Sequence, residues 1–526
     1  MTNCTRLWLA AFCVATLAVS ACGQDGPAAA NNDSGPGELT GTVSSTDTST
    51  TFFAADAGFV PGLVAPTSTG DNTSVGTGFA TGTGSDTGSG KSIPPSFASG
   101  PSTAIGGESA DGTFSGSAAP VPALAPGGPA PIGVVVGTTT ASTTSTSSVV
   151  SQATGGKMTA GTWDDNLNFD FYTSYLNATV ATQMPGLPLI DRSARMVILV
   201  KTASGQPVAG AGVEVTDSAG GNAFTTTTGA EGRVLYFPGW LGIAAGTSVT
   251  VTAWASGDDL ASKTVVASAG TVELTLAHTG YAPVPALDLA FVVDTTGSMG
   301  DELSYLQSEL DNIVSGIAAK FPNVNQRWGL VLYRDTGDEY VVRSFDFTSD
   351  LTTFRQNLAA QSASGGNDTP EAVDQGLAAA NQLSWRTAVG PAARVQFWIA
   401  DAPHHVGREA AVVSALHDAV VKGVHIYPVA ASGIDDLGEF TMRTAAEVTG
   451  GRYLFLTDDS GIGNSHAEPH IPCYYVTTLS SAMGRMVATE LSGDYVAPTS
   501  SEIIRTGGDP QSQLCTLSDG GTVTAW

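Results

Sequence analysis

The stretch ALDLAFVVDTTGSMGDELSYLQSELDNIVSGIAAKF, residues 286–321, decides the fold. Its first nine residues are almost wholly apolar, as in a strand buried on both faces of a parallel sheet. The last twenty carry apolar positions at helical spacing, an amphipathic helix. Between them, Asp294, Thr296 and Ser298 occupy alternate positions on a tight loop. Further apolar strands come in RWGLVLY, VVRSFDF, ARVQFWIAD, VHIYPVA and RYLFLT. Helical patterns cover 350–361, 370–383, 408–422, 435–448 and 475–490. Alternation of this kind predicts a doubly wound α/β (Rossmann-like) domain, with ligands bound beyond the carboxyl ends of the strands.

A carboxylate and two hydroxyls at alternate loop positions can turn three oxygens toward one point. Mg²⁺ takes hard oxygen ligands at about 2.1 Å in octahedral geometry and keeps several waters. A ligand set rich in neutral hydroxyls leaves such an ion electrophilic, with room for an incoming carboxylate. Asp294-Thr295-Thr296-Gly297-Ser298 resembles the Asp-x-Ser/Thr-x-Ser signature of von Willebrand factor type A domains, the metal-ion-dependent adhesion site. The likeness covers residues 284–490. It implies one divalent cation, Mg²⁺ or Ca²⁺, and a protein partner whose Asp or Glu completes the coordination. Of the family's other ligands, the Asp after the fourth strand falls on Asp401, in FWIADAPHH. The Thr of the second loop falls in SGGNDTPEAV, where Thr369 keeps the residue type and alignment on the glycines favours Asn367 or Asp368. Direct binding by Asp368 would favour Ca²⁺ and make the ion less electrophilic.

Upstream, residues 190–280 contain seven short β-branched segments separated by Gly-rich turns, the pattern of an antiparallel β-sandwich. The phrases GQPVAGAGVEVTD and TTTGAEGRV resemble carboxypeptidase-regulatory-like or transthyretin-like modules. That resemblance implies a structural or binding role, here a stalk. Residues 158–189 form an aromatic lead-in, GTWDDNLNFDFYTSYL at its heart, packed on the domain C-terminal to it. Its Asp164-Asp165 pair reads as a solvated turn or helix cap rather than a cation site. From residue 22 to 157 the chain is Gly, Ser, Thr, Ala and Pro without sustained periodicity. Such a composition buries too little apolar area to fold and predicts a flexible tether.

The N-terminus sets the compartment. Residues 1–21 hold a short apolar run, Leu7 to Ala21, behind Arg6. That length suits a secretory signal rather than a membrane span. Its end, Val19-Ser20-Ala21-Cys22, resembles the bacterial lipoprotein box, which implies acylation of Cys22 and a bacterial envelope location. Gly23, where Asp would retain the protein at the inner membrane, points to the outer membrane. Cys4 and Cys13 leave with the signal; Cys473 and Cys515 remain, an even pair in an oxidising compartment, and predict one disulfide. It would pin the start of the last helix to the C-terminal tail, residues 491–526.

Across 526 residues, 21 Lys plus Arg against 48 Asp plus Glu give a net charge of −27. A surface this acidic repels phosphates, which excludes nucleic-acid binding as a main activity. The low charged fraction of 13% reflects the tether, where much of the 63 Gly and 27 Pro sits. Among secondary candidates, Asp335, Asp338 and Glu339 lie near the same sheet end, and read as a solvated turn ahead of a second cation site. His404 and His405 come directly after Asp401-Ala402-Pro403 and are candidates for a partner-contacting rim. His466, His470 and Cys473 could bind zinc, but Pro469 breaks the helix such spacing needs. The expectation is therefore a non-enzymatic, envelope-anchored, cation-dependent adhesion protein. An envelope assembly scaffold with a structural metal is the alternative, and a metal-dependent hydrolase a remote one.

Overall fold

The computed structural model describes residues 156–255, 258–366 and 369–526. The signal segment, Cys22, nearly all of the tether and Asp368 lie outside the described residues. Nine strands form one mixed sheet. At its centre, Ala286–Asp294 lies between Asn325–Tyr333 and Ala393–Ala400, parallel to both. His425–Ala430 and Tyr453–Thr457 continue the parallel run on one side, and Val342–Thr348 closes the other as an antiparallel edge.

The central strand explains why one apolar run needs no alternation. Leu287, Leu289, Phe291 and Val293 face a core shared with Leu303, Leu306 and Leu310 of the helix Gly300–Lys320 and Met483 and Met486 of Leu479–Ser492. The intervening Ala290 and Val292 face the opposite core, with Leu377, Val412, Leu416 and Met442. Both faces are thus covered by helices.

The aromatic lead-in is part of the large sheet and not merely packed against it. Thr159–Trp163 is a strand inserted antiparallel between Tyr453–Thr457 and Tyr474–Thr478. The expected helix over 475–490 therefore begins only at Leu479; Tyr474–Thr478, aromatic and β-branched, is drawn into the sheet by pairing with Thr159–Gly161. Arg505–Gly507 adds the ninth strand from the C-terminal segment. Asp164 and Asp165 are neither solvated nor arranged for a cation. Both are buried: Asp164 accepts from Arg452 at 3.1 Å and Tyr495 at 2.5 Å, and Asp165 from Arg443 at 2.7 Å. The disulfide joins Cys473 to Cys515, with Cα atoms 6.3 Å apart, just before the strand that leads into the last helix.

All seven segments expected over 190–280 form strands, in one sheet of three and one of four. The antiparallel expectation fails at one pair: Met196–Thr202 runs parallel to Gly270–Leu276. Between these two strands the chain visits the four-stranded sheet twice, with Arg233–Tyr236 of the three-stranded sheet in between, a connection long enough for parallel pairing. These sheets are not strung ahead of the large one as a stalk. They are inserted after its first strand and packed on it, with Thr226 Oγ1 donating to Val420 O at 2.7 Å and Arg394 to Thr227 Oγ1 at 2.8 Å.

Candidate functional site

The site forms where three strand ends meet. Val293 is in register with Ile399, which brings the loop after Asp294 beside the loop carrying Asp401. Thr295 points away from the others and fixes the backbone: its N–H and hydroxyl both donate to Tyr333 O, at 2.9 and 3.0 Å. Its own carbonyl accepts from Arg334 Nε at 3.1 Å and from Ser364 N at 3.1 Å. With Thr295 held on one side, its neighbours turn to the other. Thr296 donates from N and Oγ1 to Asp294 Oδ1, at 2.9 and 2.7 Å, and its hydroxyl lies 3.2 Å from Ser298 Oγ. Asp294 and Thr296 are fully buried, while Gly297 and Ser298 open to solvent. The loop thus has a buried acidic floor and an exposed hydroxyl lip.

A second loop covers the first. Gly297 N donates to Gly365 O at 2.9 Å. Gly365 and Gly366 have φ of +81° and +61°, and both positions are crowded. A Cβ on Gly366 would fall 2.6 Å from Thr296 Cβ and 2.7 Å from Glu371 Oε1. Only glycine allows this approach. Asp338 Oδ2 secures the loop by accepting from Gly366 N at 3.0 Å and Asp335 N at 3.1 Å. Asp335 Oδ1 lies 2.6 Å from His405 Nε2, and Glu339 pairs with Arg334 and Arg343. The RDTGDEY carboxylates therefore organise the loops.

Electrostatics separates this corner from an ordinary turn. Burial, then the neighbouring charge of Asp401, pushes Asp294 up from 3.8 to about 7, against the pull of hydrogen bonds from Thr296 and Tyr333. Burial, with Asp294, Asp335, Asp401 and Asp338 adding to it, raises Glu371 to about 9. Asp294 Oδ2 and Glu371 Oε2 are buried with no hydrogen-bond partner. Buried carboxylate oxygens are normally satisfied, and leaving one so costs free energy. A divalent cation would relieve both the repulsion and the unsatisfied Asp294 oxygen, so the residues present fit one. Among the described residues no three His, Cys, Asp or Glu side chains stand close enough to ligate an ion. A site here is built from hydroxyls and two carboxylates.

The structure brings Asp294, Thr296 and Ser298 together as the spacing predicts and sets Asp401 beside them. Thr369 is exposed and comes after the undescribed pair 367–368. His404 departs from the rim expected of it: it is fully buried, with Nε2 2.9 Å from Gly186 O, and burial holds it below its usual pKa. The loop turns it inward, against the 182–190 segment, so it lines no rim; His405, half-buried, stays near the surface. The zinc grouping does not assemble. His466 lies between Asp458 and Glu302, His470 beside Glu439, and Cys473 is in the disulfide. Glu371 carries no signal in the sequence, because an acid in the first turn of the helical pattern over 370–383 looks like a helix-end charge.

Residues 288–419 match the family model of the von Willebrand factor A domain. This A-type region contains Asp294, Thr296, Ser298, Glu371 and Asp401. Over 119 residues the chain is 40% identical to R811 of Acanthamoeba polyphaga mimivirus, named as an ariadne-like RING finger protein. Over 120 residues it is 29% identical to the alpha-protein kinase vwkA of Dictyostelium discoideum. Each match takes in 23% of this chain, which spans only 11% and 19% of those relatives' lengths. Among solved structures, an aerotolerance-related membrane protein from Bacteroides fragilis aligns at 14% identity and a TM-score of 0.27, over 40% of this chain and 99% of that one. BatB from Bacteroides thetaiotaomicron aligns at 14% identity and a TM-score of 0.27, over 39% and 98%. No helix among the described residues is long and apolar enough to cross a membrane.

The raised pKa of Asp294 has a consequence for stability. Well below its ordinary value of 3.8 the folded and unfolded states both keep its proton, and the unfolded chain begins to lose it near pH 4. As pH rises to about 7 the unfolded chain ionises freely while the folded site resists, so stability falls. Glu371 extends the fall toward about 9. In chelator, the wild-type Tm minus that of Asp294→Asn is expected to drop across pH 4–7, and saturating Mg²⁺ or Ca²⁺ to abolish the drop. Thermal melts across that range check it; a flat difference in chelator would contradict this electrostatic picture.

Proposed function

We propose that this protein is a non-enzymatic, envelope-anchored binding protein whose A-type region holds one divalent cation and docks a partner protein's Asp or Glu through it. Asp294, Thr296, Ser298 and Asp401, with Thr369 or Asp368, would hold Mg²⁺ or Ca²⁺. The ion would act as a Lewis acid toward the partner's carboxylate, and Ser298 at the exposed lip marks the side from which it approaches. The observation that carries this reading is Asp294 Oδ2, buried without a partner beside two converging hydroxyls. The net charge of −27 makes a bridging cation the natural means of seating another acidic group. Anchoring rests on the lipoprotein-like sequence ending at Cys22, and Gly23 after it supports an outer-membrane location.

The test is calorimetric titration of Mg²⁺ and Ca²⁺ into the purified protein. Saturable one-to-one binding is expected; no heat with either ion would overturn the reading. If the ion binds and partner capture then survives loss of Asp294, the scaffold alternative replaces adhesion.

A further inference from the structure

We propose that the loop 458–473 is a pH-controlled lid, latched by a protonated His466 held between Glu302 and Asp458 and released when the imidazole gives up its proton. The proposal stands apart from the cation reading: it needs no ion and uses none of the residues assigned to one.

The loop joins the strand Tyr453–Thr457 to Tyr474–Thr478 and, past the short turn Asp458–Ser460, forms neither helix nor strand. Residues 463–465 are exposed, yet the His466 ring is turned inward, its side chain 5% exposed. Its Nδ1 lies 2.8 Å from Asp458 Oδ1 and its Nε2 3.2 Å from Glu302 Oε1. Among the described residues, the second of these is the one hydrogen bond that ties 461–467 to an element outside the loop. Farther along, the loop is tied independently. The His470 N–H donates to Glu439 Oε1 at 3.1 Å, and Glu468 accepts from the Tyr474 hydroxyl at 2.6 Å. The part that His466 controls is therefore 461–467.

A neutral imidazole carries one N–H, and here each ring nitrogen faces a carboxylate. Only the imidazolium donates to both at once. Glu302 depends on that second bond. It is fully buried, its Oε1 accepts from Ser432 N at 3.2 Å and Ser432 Oγ at 2.5 Å, and its Oε2 has no partner. Gly463 passes so close that a Cβ there would fall 2.5 Å from Oε1, so the loop shuts directly over this carboxylate. Under it, His466 is the counter-charge of Glu302. A neutral ring leaves that buried charge alone, a costly state that opening relieves by admitting water.

The other groups facing the ring are acids. Asp435, Asp436 and Glu439 from the body and Glu468 from the loop line a cavity of about 30 Å³ with it, and Tyr453 reaches that cavity from the sheet. Arg443 and Arg505, which touch the loop, are engaged elsewhere, by Asp165 and Glu439 and by Asp459 and Glu468. Burial alone would lower the imidazole; the bonds to Glu302 and Asp458 outweigh it and raise it above 6.5. The lid is thus shut below about pH 6.5 and opens as pH climbs through the raised value. Opening uncovers Ile434 and Tyr453, the apolar floor of the cavity.

The experiment titrates the His466 ring by NMR in the full chain. In parallel, hydrogen exchange, corrected for its intrinsic dependence on pH, follows the amides of Gly461, Ile462 and His466, which donate to Asp458 O, Ser460 Oγ and Asp458 Oδ1. His466 is expected to titrate above 6.5. Opening should rise as it does, about tenfold for each full pH unit by which the measured value exceeds that of the freed ring. The central strand Ala286–Asp294 should keep its protection throughout. Asp458→Asn, at a side chain 60% exposed, removes one carboxylate without disturbing the interior, and Glu302→Gln removes the other. Both should draw the titration toward 6.5 and shrink the pH dependence of opening. A His466 that titrates at or below 6.5, or exchange that does not follow its titration, would overturn the proposal. So would an Asp458→Asn protein that keeps the wild-type pH dependence while its central strand stays protected.

Discussion

Asp294→Ala is expected to abolish cation binding: Mg²⁺ and Ca²⁺ affinities should fall by at least about a thousandfold, beyond calorimetric detection, because a charged ligand in a buried site has no substitute. Thr296 and Ser298 offer only neutral oxygens, and Thr296 uses its hydroxyl and N–H to orient the Asp294 carboxylate. The stability readout separates this outcome from misfolding. In chelator the variant should melt at or above the wild-type temperature, since it loses a buried carboxylate that the fold repels. With cation present the order reverses. A ligand at a hundred times its Kd stabilises the wild-type protein by about 2.7 kcal/mol and the variant not at all. A variant that melts lower in chelator, or one that still binds the ion, would show that Asp294 serves the loop rather than a metal.

Asp294, Thr296, Ser298 and Asp401 are legible in the sequence because each depends on local rules. An apolar strand ends, a tight loop succeeds it, and alternate residues face one way. Parallel neighbours then bring two such loop ends side by side. Glu371 is not legible, since its burial comes from Gly365 and Gly366 carrying their loop over Thr296 and from the Pro403 carbonyl reaching its N–H. The inward turn of His404 is hidden for the same reason. Nothing in Asp401-Ala-Pro-His tells which way the loop turns the ring, and the answer lies at Gly186, far away in the chain. Thr159–Trp163 is a harder case. Its pairing partners come nearly three hundred residues later, and antiparallel insertion between them leaves no periodic mark. Its ion pair from Asp165 to Arg443 leaves no mark either, because Glu439 already stands four residues from Arg443 on the same helix.

That pairing supports the other large expected effect. Arg443→Ala should destabilise the protein by about 3–5 kcal/mol, the usual result of removing one partner from a buried ion pair. Arg443 has no exposed surface and lies between Asp165, at 2.7 and 3.0 Å, and Glu439, at 3.0 Å. Its guanidinium also lies over the Tyr175 ring, 3.8 Å from the centroid. Removing it strands two carboxylates in the interior, and burial already pushes Asp165 above its ordinary pKa even with Arg443 in place. The damage should fall first on the lead-in, because Asp165 lies just beyond the strand that separates Tyr453–Thr457 from Tyr474–Thr478. Chemical denaturation of Arg443→Met, of Asp165→Leu and of the two combined closes a double-mutant cycle. The double variant should regain much of the loss, since apolar groups of similar volume replace buried pairs at little cost. Losses that simply add would show that Arg443 and Asp165 act independently, and that the ion pair does not hold the lead-in strand in the sheet. Hydrogen exchange provides the spatial reading: amides of Thr159–Trp163 should lose protection in Arg443→Ala while those of the central strand Ala286–Asp294 keep it. The site at Asp294 would then persist in a molecule whose connection to its own N-terminal segment had been loosened.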